Sequence, residues 1–460
     1  MEGFNWSVLI IFAIAMYLIS PRLKREHRGE QFFSAQNEKG QDVGLLLLTC
    51  SLLISWIFAK SIQNAANLGQ SFGAPGGAAY AAYWLAFIVA GVVIYQIRGQ
   101  GFKSLHDFLN TRFGRNALWL FSLILLFRLW NEIWSNTMVV AQFFGEKGST
   151  EFYMASWATT ALVLFYALKS GLRSSIITDL IQMALAAVLL IIILGFILPQ
   201  TEVKQIMTSG EWTLIGCVDL ILVALIQIWS YPFHDPVMTD RGFITKRKVM
   251  LKAFILAGIF GVLFIFLFSF VGIYNRIEGI GGNSTINTAM QFGLPLLIFM
   301  NMIMLTSAAS TIDSTFTSTG KLVAVDLFPG FSIDKVRLAR LTMIVLAILG
   351  NLMVHANPTI LSATTISGTM VIGLTPIFIL NRWERAGKVS YYASVIVGLL
   401  FGLLLATKNI PFTIGEGKYG ALLWANVVGV SLSIAVYVVA AYIWPSKAVR
   451  DVRNGNEVTA

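Results

Sequence analysis

Apolar stretches long enough to cross a bilayer recur along the whole chain, and polar residues interrupt them in only a few places. A hydrocarbon core about 30 Å thick needs roughly 20 apolar residues in a helix. By that measure thirteen stretches are candidate spans: 5–21, 43–68, 78–98, 117–142, 152–168, 173–198, 213–233, 250–274, 290–320, 338–355, 361–381, 388–407 and 420–444. The pattern therefore predicts an all-α polytopic membrane protein with 13 transmembrane helices.

The interruptions cluster in the middle of the chain. The second span reads "LLLLTCSLLISWIFAKSIQNAANLG", apolar through Ile57 and then marked by Lys60, Gln63, Asn64 and Asn67. The fourth carries "LFRLWNEIW", which puts Arg128 and Glu132 four residues apart on one helix face. The sixth opens with "SGLRSSIITDLIQM", holding Asp179 and Gln182, and the seventh contains Asp219 and Gln227. The ninth ends in "LTSAASTIDSTFTSTG", with hydroxyls at nine positions from Thr306 to Thr319 around Asp313. There Ile303, Thr306, Ser307, Ser310, Asp313 and Ser314 share one stripe at helical spacing. Singly, such hydroxyls bond their own backbone or join helices. As a stripe they suit a small hard cation, which takes neutral oxygen ligands. Spans 1, 8, 12 and 13 have almost no internal charge and read as packing against lipid.

Composition supports the class and corrects one impression. The chain has 460 residues, of which 56% are hydrophobic and 12% charged, with a formal net charge of +10. That excess does not mark a nucleic-acid binder, because its distribution follows the membrane. With the N-terminus outside, the connections on the inner face hold 26 of the 33 Lys and Arg. The positive-inside rule then gives an outer N-terminus and a cytoplasmic C-terminus in a multi-pass protein of the cell membrane. Cys50 and Cys217 lie in apolar spans and imply no disulfide framework. The first stretch, "WSVLIIFAIAMYLIS", precedes its basic cluster and lacks a small-residue cleavage site, so it is expected to be a retained helix. No connection is long enough for a soluble catalytic domain, and no nucleophile–base set or metal spacing appears, so an enzyme is not expected.

Spans 2–6 and 7–11 form two sets of five that begin on opposite sides of the membrane, as an inverted repeat requires. The expected division is a first helix and loop (1–42), one repeat (43–198), a second repeat (199–381), and two helices with a tail (382–460).

Within the ninth span, Thr306-Ser307, Ile312-Asp313-Ser314, the hydroxyl run Thr315 to Thr319, and Asp326-Leu327-Phe328 stand in order. This arrangement resembles the signature helix of the sodium/solute symporter family. "SLHDFLNTRFG" (104–114) and "SGLRSSIITDLIQ" (170–182) are similar to two further segments of that family. The resemblance implies a leucine-transporter-type fold: a five-plus-five inverted repeat with one extra N-terminal and two extra C-terminal helices. It also implies Na+ as the coupling ion, held by backbone carbonyls of Ile54, Ile57 and Ile303 and by the hydroxyls of Thr306 and Ser307. Some members hold a second sodium through an acid in the sixth span and hydroxyls in the ninth. Asp179 and Ser310 match that pattern, while Ala309 stands where another hydroxyl would help.

The expected function is secondary active transport: sodium-coupled symport of a small organic solute by alternating access. Lys60, Gln63, Asn64, Arg128, Glu132 and Gln227 are the candidate solute-binding residues. Lys60 departs from the family pattern. A charge at mid-membrane depth costs roughly 2.5–3.5 kcal/mol on insertion scales and calls for a partner. Its ammonium could pair with Glu132, Asp179 or Asp219, bind an anionic solute with Arg128, or replace a sodium charge. The last case would make transport proton-coupled or cation-independent. Arg128 and Glu132 could equally form an internal pair, or Arg128 could fork a carboxylate. The two buried cations lean toward a carboxylate-bearing solute. A transporter-like membrane sensor is the alternative from another class, and the short tail argues against an appended signalling domain. "YPFHDPVMTDRGF" (231–243) reads as a helix break in which Asp235, Asp240 and Arg241 are solvated or form a gate latch.

Overall fold

The structure, a computed structural model, describes residues 2–21, 29, 32–33, 42–328 and 330–446. Much of the basic loop after the first span, and the tail cations Lys447, Arg450 and Arg453, lie outside the described residues.

Each expected span is helical, and the described residues form no strand. Among the described residues eight helices are long and apolar enough to cross a membrane, and counting each of two bent pairs as one span brings that number to ten. Asn5–Ile19 and Leu214–Gln227 are shorter apolar helices, and the fifth expected span is the helix Thr150–Ser170. The spans named below are the fourth (Arg115–Ala141), sixth (Leu172–Ile197), eighth (Arg247–Ile277), ninth (Leu294–Lys321) and tenth (Lys335–Val354). Lipid-facing side chains such as Leu18, Ile259, Leu263, Leu403 and Val439 are exposed on spans 1, 8, 12 and 13.

Three spans are broken. The second consists of Leu45–Trp56 and Ala59–Phe72, bent by 60°. No proline or glycine stands at the bend; it falls where the apolar segment gives way to the polar one. In the seventh, Pro232 and Pro236 cannot donate to a helix and stop it. A short turn, Tyr231–His234, follows, and the Asp235 carboxylate caps the next helix, Pro236–Arg241, by accepting from Val237 N at 3.0 Å and Met238 N at 3.4 Å. The eleventh bends by 40° between Ser362–Met370 and Ile372–Ile379.

The second half of the second span lies along the eighth span through a seam of small residues. A Cβ on Gly272 would come within 1.7 Å of the Ala66 carbonyl oxygen, and one on Gly69 within 2.5 Å of that of Ser269. Backbones this close need glycine, and dispersion contacts then hold the pair together in an apolar solvent. This seam fixes where the polar face of Ala59–Phe72 points: toward the fourth and ninth spans, which pack on its other side.

Candidate ion and solute site

The hydroxyl stripe of the ninth span sorts into groups once its partners are known. Thr311, Thr317 and Thr319 donate to their own helix backbone, to Ser307 O at 2.9 Å, Ser314 O at 3.0 Å and Thr315 O at 2.7 Å. Ser310 and Ser314 bond to side chains of other elements. Thr306 and Ser307 are buried and neither hydroxyl has a hydrogen-bond partner; Thr315 and Ser318 share that condition nearer the inner end. A buried hydroxyl without a partner costs free energy. The ninth span packs on both halves of the broken second span. The first half ends at Trp56 with Ile57 as its cap, so carbonyls of its last turn have no following helical turn to bond. Ile54, Ile57 and Ile303 are fully buried in the same region.

Beside that break lies a cluster of four charges. Lys60 Nζ is 2.5 Å from Glu132 Oε1. Arg128 also pairs with Glu132, one turn along the fourth span, and its Nη2 lies 3.2 Å from Asp235 Oδ2. Of the three carboxylates that the sequence offers it, Lys60 takes Glu132. Asp179 is engaged elsewhere, and Asp219 accepts backbone N–H groups of Leu220 and Tyr419. Asn136 holds the cluster in place: its Nδ2 donates to Glu132 Oε2 at 3.0 Å, and its Oδ1 accepts from Lys60 N at 3.3 Å. Trp56 Nε1 donates to Asp235 Oδ2 at 2.8 Å, while its ring packs against Phe58, Trp84, Phe87 and Tyr231. Two cations and two carboxylates make the cluster neutral. It joins the second and seventh spans, at their breaks, to the intact fourth.

A second cluster lies toward the face that the charge asymmetry assigns to the inside. Asp179 accepts from Ser310 Oγ at 2.6 Å through one oxygen; the other accepts from Ser51 Oγ at 2.6 Å and Arg241 Nη2 at 3.0 Å. Arg241 also donates to Ser51, Val237 O, Ser175 and Ser314. The acid and hydroxyl implied as second-sodium ligands are thus brought together, with a guanidinium bonded to the same carboxylate. Asp235 and Arg241 are buried, which removes the solvated alternative for this segment and leaves the latch untested; Asp240, also buried, pairs with Lys321 at 2.6 Å. Their partners come from other spans, so the local sequence pointed to a loop. The signal present was three charged residues, Asp235, Asp240 and Arg241, packed between two apolar spans.

The remaining candidates separate. Asn64 Nδ2 donates to Tyr80 OH at 3.2 Å and lines a cavity of about 760 Å³, with Asn67, Gln142, Asn283, Asn287 and Tyr419 also on its wall. That cavity lies on the face that the charge asymmetry assigns to the outside. Gln63 accepts from Thr285 Oγ1 at 2.8 Å and donates to Asn67 and Ser284, tying the second span to the loop that precedes the ninth. Gln227 lies apart from the charge cluster. It accepts from Tyr83 OH at 2.9 Å and donates to Asn426 Oδ1 at 2.9 Å, joining the seventh span to the third and thirteenth.

No known family model and no curated protein matches the sequence. Solved structures do match over nearly the whole chain. A sodium-coupled sialic acid symporter, in a substrate-bound outward-open state, is 16% identical, covers 96% of this chain and 98% of its own, and gives a TM-score of 0.68. Mhp1, a nucleobase-cation-symport-1 family transporter with bromovinylhydantoin bound, is 13% identical over 90% and 95%, with a TM-score of 0.57. MhsT in complex with L-phenylalanine is 13% identical over 87% and 99%, with a TM-score of 0.56. At such identities the likeness establishes the fold: a helical membrane protein of the leucine-transporter type.

Proposed function

We propose that this protein is a secondary transporter that moves a small organic solute by alternating access, coupled to one sodium ion at Thr306 and Ser307. The observation that carries this reading is the pair of buried, unpartnered hydroxyls next to a helix end whose carbonyls lack a following turn. A sodium ion would satisfy both at once, with Ile54, Ile57 and Ile303 supplying backbone oxygens. The sequence resemblance to sodium/solute symporters names the same residues, and one neighbour of this fold, the sialic acid symporter, is described as sodium-coupled. By bridging the second and ninth spans, sodium would stabilise one state and raise its affinity for solute. Solute must then strengthen sodium binding by the same factor.

Lys60 is committed to Glu132, while the Thr306 and Ser307 hydroxyls remain without partners. That division favours sodium over a lysine surrogate. Arg241 already supplies positive charge to Asp179, which favours one sodium over two. For the solute, Lys60 and Arg128 converge on the Glu132 carboxylate, an arrangement a carboxylate-bearing solute would fit by exchanging with Glu132. The charge asymmetry supports a multi-pass protein with its N-terminus outside.

The test is thermal stability of the purified protein in sodium, potassium and choline chlorides at equal ionic strength. Stabilisation specific to sodium, lost in Thr306→Ala and Ser307→Ala, is expected. Equal stabilisation by all three salts, or a sodium response unchanged in both variants, would overturn the reading. A solute panel of carboxylates, amines, amino acids, sugars and ureides, with and without sodium, then identifies the cargo.

A further inference from the structure

The two charge clusters differ in their balance. Lys60, Arg128, Glu132 and Asp235 cancel. The inner cluster holds two carboxylates, Asp179 and Asp313, and one guanidinium, Arg241, so it is one positive charge short. Asp313 is the unmatched member. It is buried, and Arg241 spends its donors on Asp179, Ser51, Ser175, Ser314 and Val237 O, none of them on Asp313. Asp313 receives hydroxyls that are shared with other acceptors, Thr178 Oγ1 at 3.2 Å and Ser314 Oγ at 3.4 Å, and it also interacts with the hydroxyls of Ser175 and Tyr166, with no cation among these partners. Thr178 also bonds Ser174 O and Ser175 O, and Ser314 also meets Ser175.

The charged and titratable groups on the packed elements do not close the gap. The sixth span presents Asp179, which is a like charge. The helix Pro236–Arg241 presents Arg241, committed as described. The fifth presents Tyr166, a neutral phenol whose hydroxyl donates to Ala309 O at 3.2 Å and also interacts with Asp313 and Gln182, and Lys169 at its end donates to Tyr17 O. The second presents the neutral thiol of Cys50. On the tenth, Arg340 lies over the Phe32 ring and donates to Lys169 O. The fourth span's Arg128 and Glu132 pair with each other. A bare carboxylate at this depth carries a large desolvation cost and in practice neutralises. Gln182 offers an acceptor for the resulting O–H. Gln182 is one helical turn from Thr178 on the same face, and its amide oxygen is fully buried with no hydrogen-bond partner.

We propose that Asp313 is a proton-carrying site, protonated in the state seen here and able to exchange its proton with water when the inner side opens. The proton comes from bulk water, adds to one carboxylate oxygen and returns to water. No other bond changes. This rests on the transporter reading, but the group is separate from the sodium ligands. It makes the solute's movement proton-linked as well as sodium-linked.

The test uses the full-length purified protein without solute. Infrared spectroscopy should show a protonated-carboxyl C=O band at neutral pH that disappears in Asp313→Asn. A free aspartate ionises near pH 3.9. If the fold keeps Asp313 protonated, the native state holds a proton that the unfolded chain releases, and wild-type stability falls as pH rises above that value. The Asn variant, neutral throughout, should lack that component. A band that survives in Asp313→Asn, or parallel pH curves for the two proteins, would overturn the proposal. So would sodium, rather than acid, removing the difference between them. If Asp313→Asn fails to accumulate, Gln182→Leu gives a second readout: loss of the amide acceptor should shift the band, and an unshifted band counts against the proposal. Loss of the sodium response in wild type would sink the sodium site and leave this band untouched, so the two failures are distinguishable.

Discussion

Lys60 Nζ and Glu132 Oε1 stand 2.5 Å apart with both side chains closed off from solvent, the ammonium on a broken helix and the carboxylate on an intact one. Each is the other's means of being charged at that depth. The two helices are thereby tied by a bond that water cannot replace.

Breaking this tie from one side should therefore cost far more than removing it from both. Lys60→Met alone or Glu132→Gln alone leaves an unbalanced charge and should destabilise by roughly 3–5 kcal/mol. The double variant keeps Arg128 opposite Asp235 and should recover much of that loss. Denaturant unfolding in a fixed detergent measures all three, and additive single effects would refute the pairing.

Trp56 serves the cluster through one atom. Trp56→Phe keeps the ring contacts with Phe87 and Tyr231 but removes the Nε1–Asp235 bond of 2.8 Å. A hydrogen bond to a charged group contributes about 1.5–3 kcal/mol, so a loss of that order is expected. In an Asp235→Asn background the same change should cost less, which a double-mutant cycle reads directly.

The seam between the second and eighth spans tolerates no added atom. Gly272→Ala places a methyl 1.7 Å from the Ala66 carbonyl and should sharply reduce the yield of folded protein. Gly195→Ala, in a helix with nothing within 4 Å of the new methyl, should be neutral or stabilising by up to about 1 kcal/mol. Size-exclusion profiles of the two variants side by side decide this. A well-folded Gly272→Ala would show that the helices do not meet there.

His106 lies in the short connecting helix Leu105–Phe113. Burial pushes its imidazole below the ordinary value, against the opposing pull of Asp326 and Asp240. The unfolded chain thus binds a proton, at its ordinary value of about 6.5, more readily than the folded one does. Stability from this group is present above that value and is lost as pH falls from it toward the lower folded value. His106→Gln should flatten that part of the pH–stability curve, measured by thermal unfolding; a slope of the opposite sign would refute the assignment.

The sequence carried much of the architecture, for a local reason. In lipid a helix must satisfy its own backbone, so span limits follow from runs of apolar residues, and all the expected spans are helical. The break after Ile57 was legible as a change from apolar to polar residues, and the hydroxyl stripe in the ninth span as helical spacing. Which of those hydroxyls lack partners was not legible. Thr306 and Thr311 look alike in sequence, yet Thr311 bonds Ser307 O while the Thr306 and Ser307 hydroxyls bond nothing.

Partner choice was decided by the tertiary structure alone. Asp235 and Arg241 follow prolines and looked like loop residues, but the fold carries them to Arg128 and Asp179, distant in sequence and adjacent in space. Gln227 and Gln63 looked alike as cavity-lining amides, and one instead joins three helices while the other fastens the loop that precedes the ninth span. Periodicity reports which face of a helix is polar. The identity of the group opposite depends on how the helices cross, and here that crossing is set by a glycine seam and by helix breaks whose angles no local pattern encodes.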